Sequence, residues 1–109
     1  MSPGWRVVLS AEVKDWVASL PPSDLQIVRH MIGLLQTQGH QMRMPHSRAL
    51  GDRLFELRFD LQQGAVAQRV TYFFDKDVIT LTTFRKTRQV EAAQISRARR
   101  AMDEYWRQK

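Results

Sequence analysis

The stretch Leu54–Phe84, LFELRFDLQQGAVAQRVTYFFDKDVITLTTF, decides the fold. Its apolar residues recur at every second position, the period of a strand with one buried face. In Leu54–Asp60, Phe55, Leu57 and Phe59 point one way while Glu56 and Arg58 point the other. Gln62–Gly64 supplies a turn. Ala67–Phe74 then reads as a second strand, with Val70, Tyr72 and Phe74 on one face and Arg69, Thr71 and Phe73 on the other. Asp75–Asp77 is a tight polar turn, and Val78–Phe84 is a third strand rich in β-branched residues. The pattern predicts an antiparallel meander of three strands with one apolar and one charged face.

Outward from this core the period changes to that of a helix. Trp5–Leu9 reads as a short strand. Ser10 is placed to cap a helix that carries Val13, Trp16, Val17 and Leu20 on one face, and Pro21-Pro22 ends it. Ser23 and Gln26 have capping-box spacing for a second helix, with Leu25, Val28, Met31, Ile32 and Leu35 on one face and Gly39 as its C-cap. Two amphipathic helices with a short joint predict an antiparallel hairpin that covers the apolar sheet face. Gln89–Arg107 reads as a final helix, with Ala92, Ile95, Arg99, Met102 and Tyr105 or Trp106 on one side. The order β-α-α-β-β-β-α predicts a single α+β domain over residues 1–109, an N-terminal strand and helical hairpin on a mostly antiparallel sheet with a C-terminal helix.

Composition narrows the chemistry. The 109 residues include no cysteine, which excludes a disulfide framework, a thiolate metal site and a thiol nucleophile. The longest apolar run, Met31–Leu35, is far short of the ~20 residues of a membrane span. Val7–Leu9 is too short for a secretory core, so the expected location is the cytoplasm. The formal charge of +6 is unevenly placed. Residues 1–40 balance Arg6, Lys14 and Arg29 against Glu12, Asp15 and Asp24, whereas residues 85–109 hold eight basic and three acidic side chains. Arginine outnumbers lysine by 13 to 4, and its planar fork suits phosphate oxygens. A neutral front half and an arginine-rich back half point to a polyanion as partner; a merely solvated basic helix is the plainer reading.

The charged sheet face holds the candidate chemistry. Arg58 and Arg69 fall on the same face of neighbouring strands, Glu56 lies two residues from Arg58, and Lys86 follows the third strand in phase with Thr80, Thr82 and Phe84. Converging cations stabilise the charge that builds up on a phosphodiester in its transition state. Such a site needs neither metal nor cofactor: the 2′-hydroxyl of RNA is the nucleophile, with Glu56 or Lys86 assisting as base. An ordinary cross-strand ion pair of Glu56 with Arg58 or Arg69 is an equally good reading of the spacing. Phe73, beside Arg69 and Thr71, is a candidate stacking platform for a base unless the final helix covers it. Arg85, Arg88, Arg97 and Arg100 are candidate RNA contacts. His30, His40 and His46 lack metal-ligand spacing, and no phosphate-binding glycine loop, G-x-S-x-G or H-E-x-x-H is present.

The run MPHSRALGD (residues 44–52), followed by LFELRF, QRVTYFF and ITLTTFRKT, resembles toxins of the RelE superfamily, and most closely their phage-derived HigB-like branch. The likeness runs from about Trp5 to Tyr105. It implies a RelE-like fold and the toxin of a type II toxin–antitoxin pair, acting as a metal-independent endoribonuclease that cuts translated mRNA on the ribosome. It also implies a helix-turn-helix, HigA-like antitoxin as partner, besides ribosome and mRNA, and no membrane. By position, Arg58, Arg69 and Lys86 match the basic residues of its three strand motifs, the residues that alternation selects independently. The chain departs from the pattern in having no histidine after His46 and in placing Tyr105 within a long helix. A non-catalytic binder of nucleic acid or protein on the same fold, such as a gyrase-inhibiting toxin, is the alternative.

Overall fold

A computed structural model describes residues 4–88 and 91–109. The chain forms β1 (Val7–Val8), α1 (Ala11–Ala18), α2 (Pro22–Gln38), β2 (Ser47–Gly51), β3 (Leu54–Leu61), β4 (Val66–Asp75), β5 (Asp77–Arg85) and α3 (Glu91–Arg107). The sheet has five strands in the order β1-β5-β4-β3-β2, antiparallel except where β1 runs parallel to β5. This is the α+β architecture expected from the sequence, consistent with a RelE-like fold.

Strand alternation sets the two faces. Phe55 pairs with Tyr72 and Leu57 with Val70, and these side chains meet Val13 of α1 and Val28, Met31 and Leu35 of α2 in the main core. Glu56 pairs with Thr71 and Arg58 with Arg69 on the opposite face. That face is only half open. Its other half carries Leu54, Phe73, Ile79 and Leu81, which pack against Ile95, Ala98, Met102 and Tyr105 of α3. The sheet is thus sandwiched between the helical hairpin and the C-terminal helix.

Several local features follow the sequence closely. The Ser10 hydroxyl accepts from the Val13 amide at 3.2 Å and donates to the Leu81 carbonyl at 2.8 Å, so one side chain caps α1 and ties it to β5. Gly39 ends α2 with a left-handed φ of +48°, its amide bonded to the Leu35 carbonyl.

Four expectations need correction. The first strand is only Val7–Val8, because Trp5 turns away to donate its amide to the Gln36 carbonyl at 2.7 Å. The second helix begins at Pro22, ahead of the expected Ser23 capping box. The fixed φ of proline suits the first turn, and no side chain caps Pro21. A strand absent from the sequence reading, β2, pairs with β3 across a turn in which Asp52 and Arg53 both have left-handed φ, +51° and +68°. Finally, β5 is bulged. Two residues, Leu81 and Thr82, stand opposite Thr71, between the pairs Tyr72–Thr80 and Val70–Thr83. Thr80 therefore points to the hairpin side, where its hydroxyl accepts from the Ser10 amide, and it is out of phase with Thr82 and Phe84. Of the helix expected over Gln89–Arg107, Gln89 and Val90 lie outside the described residues.

Gly39→Ala tests the α2 exit. A Cβ there would fall within the Trp5 indole ring on a backbone already at positive φ. The variant is expected to lose about 2 kcal/mol or more of unfolding free energy in urea titration.

Candidate functional site

The site begins with an unfavourable juxtaposition. Arg58 of β3 stands directly opposite Arg69 of β4, and like charges in that position repel. Glu56, two residues along β3 on the same face, lies between the charges. Its Oε1 lies 3.9 Å from Arg58 Nε, 3.8 Å from Arg69 Nε and 4.0 Å from Nη1 of Arg48, its partner on β2. Glu56 is 0% exposed, and neither of its oxygens accepts a hydrogen bond. The Nε atoms of Arg58 and Arg69 are likewise buried without an acceptor. The group is a knot of charges held by electrostatics rather than by directed bonds.

Burial, and then the neighbouring Glu91, raise the Glu56 carboxyl above its ordinary value of 4.5, while Arg48, Arg69 and Arg58 pull it back. Burial and the facing Arg58 lower Arg69, with Glu56, Asp60 and Glu91 opposing. The free ends of the two guanidiniums are placed by weaker partners. Arg58 Nη1 donates to Met44 Sδ at 2.9 Å, and Arg69 Nη1 donates to its neighbour's Gln68 carbonyl at 3.0 Å.

Both arginines open onto a cleft of about 410 Å³, lined also by Ile27, Met31, Pro45, His46, Phe59 and Asp60. The cleft lies where β2 stops: β2 pairs with β3 no further than Ser47–Leu57, and the Arg58 amide bonds to the His46 carbonyl at 2.8 Å. His46 and Asp60 are exposed at its wall. Arg48 and His46 are the two residues that strand alternation missed, because the segment before Leu54 gave no strand signal. The arrangement offers cations for a phosphate, an imidazole for proton transfer and a carboxylate buried out of reach of substrate.

The other expected residues are dispersed. Lys86 is half-buried just past β5, and its amide bonds to the Ala67 carbonyl at 2.7 Å, which continues the ladder beside Arg69's strand; it does not line the cleft. Arg85, Arg88 and Arg100 are exposed. Arg97 is partly exposed but already engaged, donating to Glu12 and, at 3.2 Å, to the Thr83 carbonyl, so it fastens α3 to α1 and β5. Phe73 corrects an expectation. It is 1% exposed, with Tyr105 and Trp106 against its ring at 5.1 and 5.7 Å, so no ring face remains for a base. Tyr105 donates to Asp75, near the β4–β5 turn. Among the described residues, no three His, Asp or Glu side chains converge as metal ligands would. No helix among them is long and apolar enough to cross a membrane.

The family of phage-derived Gp49-like proteins (DUF891) matches residues 15–103, from within α1 to within α3. The chain belongs to that family. It is a toxin-like family associated with toxin–antitoxin pairs, which makes an antitoxin the kind of partner to expect. No curated protein matches the chain. The matched span of this Gp49-like chain contains every residue of the cleft and of the charge knot.

The raised Glu56 pKa has a signed consequence. A carboxyl whose folded pKa exceeds its unfolded value favours the folded state when protonated, and that advantage fades as pH rises above about 4.5. The stability of the natural protein relative to Glu56→Gln is therefore expected to fall from pH 4 to pH 7 in paired urea titrations. A difference that rises over that window would mean the carboxylate is net stabilised by its arginines.

Proposed function

We propose that this protein is the toxin of a type II toxin–antitoxin pair and acts as a ribosome-dependent endoribonuclease on translated mRNA. The observation that carries the reading is the cross-strand pair Arg58–Arg69, held over a buried Glu56 and opening onto a cleft that also holds an exposed His46. In the proposed reaction a scissile phosphodiester lies against the guanidiniums. The RNA's own 2′-hydroxyl attacks phosphorus, a 2′,3′-cyclic phosphate forms, and the 5′-oxygen leaves with a proton. The arginines stabilise the extra charge on the phosphoryl oxygens.

Glu56, expected from sequence as a candidate base, takes a different part. A side chain with 0% exposure does not touch substrate; it positions Arg58 and Arg69. His46 is the proton-transfer group the cleft offers, since imidazole serves most often in general acid–base steps. Lys86, half-buried just past β5 and outside the cleft, adds positive charge to the approach, and the exposed Arg85, Arg88 and Arg100 supply a sequence-independent attraction to ribosomal RNA. The reading needs no metal or cofactor. An antitoxin of the helix-turn-helix, HigA-like kind would carry acidic surface to meet the charge of +6.

Induced expression is expected to arrest growth, and primer extension on a translated message to reveal new 5′ ends within codons. Arg58→Ala is expected to lower cleavage by about 10²–10³-fold, the range for removing one transition-state donor. His46→Ala is expected to lower it by about 10²-fold with the fold intact by circular dichroism. Intact message in arrested cells favours the non-catalytic binder; full cleavage by both variants refutes the site.

A further inference from the structure

The first residue of α3 brings a second carboxylate to the arginine face. Glu91 Oε1 lies 3.6 Å from Arg48 Nη1, the same nitrogen that lies 4.0 Å from Glu56 Oε1. Two carboxylates thus share one guanidinium nitrogen, and neither is close enough for a hydrogen bond. Glu91 Oε1 is buried without a donor, although the Glu91 side chain as a whole is 27% exposed and that of Arg48 41%. The field of Glu91 reaches Glu56, whose protonation it favours, and Arg69, whose charge it supports. Arg48, Arg58 and Arg69 therefore face Glu56 and Glu91 in one cluster with an excess of one cation.

The two carboxylates differ in their freedom. Glu56 is fixed within a strand and sealed from solvent. Glu91 stands at the start of a helix and is partly exposed, so it is not sealed from solvent as Glu56 is. An acidic group is favoured at a helix N-terminus, and so is a phosphate. A phosphodiester also offers Arg48 two oxygens for its fork, a better match than one distant carboxylate oxygen. Glu91 and a phosphodiester are thus competing ligands for one arginine.

We infer that Arg48 is a third phosphate-binding residue of this face, and that the Glu91 carboxylate holds its guanidinium until a phosphodiester displaces it. The inference rests on the proposed phosphodiester site but not on cleavage there. Glu91 sets the affinity of the face: it keeps the free protein's charge cluster nearly balanced and makes binding depend on a strand able to displace it.

The test uses the full chain and a short 2′-O-methyl RNA oligonucleotide, which carries phosphodiesters but no free attacking hydroxyl. Binding is read by fluorescence anisotropy at fixed salt. Glu91→Gln is expected to bind on the order of fivefold tighter, the effect of removing one partly exposed opposing charge. Arg48→Met is expected to bind severalfold more weakly, and adding Glu91→Gln to it is expected to change nothing. A purely structural role for Glu91 would loosen binding instead. The inference is overturned if Glu91→Gln leaves affinity unchanged or weakens it, or if its gain persists without Arg48. Cleavage of a translated message is scored separately. Tighter binding by Glu91→Gln with no cleavage by the natural protein upholds the inference and removes the nuclease reading. Cleavage by the natural protein, with unchanged affinities among the variants, does the reverse.

Discussion

A carboxylate with no access to water lies beneath three arginines, and the rest of the site depends on it. Burying an unpaired charge costs several kcal/mol, and removing one member of a buried ionic group commonly costs about 3–5 kcal/mol. Arg48, Arg58 and Arg69, at 3.8–4.0 Å, offset only part of that cost, since burial still holds the Glu56 carboxyl above its ordinary range. The dependence is mutual. Arg58 and Arg69 face each other across neighbouring strands, an arrangement that repels unless an anion lies between or beside them. Three strands contribute to the knot, so its geometry is set by sheet register and not by any flexible loop.

Two features of the sheet decide how much of this face remains open. The bulge at Leu81–Thr82 changes the phase of β5 midway. Ahead of it, Ile79 and Leu81 pack under α3 while Thr80 serves the helical hairpin; beyond it, Thr82 bonds to the Thr71 hydroxyl at 2.6 Å on the polar side. The second feature is the short reach of β2: past the bond from the Arg58 amide to the His46 carbonyl, Phe59 to Leu61 of β3 have no strand partner on that side, and the cleft opens there between α2 and the polar face. Helix α3 closes one half of the face with apolar contacts and delivers Glu91 to the rim of the other.

Most of the fold was legible in the sequence because its signals are local. The alternation of Leu54–Phe84, the Ser10 cap and the Gly39 exit each depend on neighbours within a few residues. The alternation also placed Glu56, Arg58 and Arg69 together. What was illegible depends on partners distant in sequence. Ser47–Gly51 becomes a strand only by pairing with β3, so Arg48 gave no sign of standing beside Glu56. His46 reaches the cleft through the backbone bond that joins its carbonyl to Arg58. The sequence showed Phe73 on the charged face but not that α3 crosses that part of it. The bulge broke a phase that simple alternation carried on from Thr80 to Lys86. Glu56 illustrates the limit best: its spacing puts it beside the arginines, but nothing in that spacing tells that the side chain is sealed from solvent.

If the Arg58–Arg69 face promotes attack by RNA's own 2′-hydroxyl, the ends of the cut message carry its signature. The most direct measurement is end-group analysis of message recovered from purified ribosomes translating in the presence of this protein. The expected result is upstream fragments ending in a 2′,3′-cyclic phosphate and downstream fragments beginning with a 5′-hydroxyl. Fragments bearing 5′-phosphates, or no fragments at all, would contradict it.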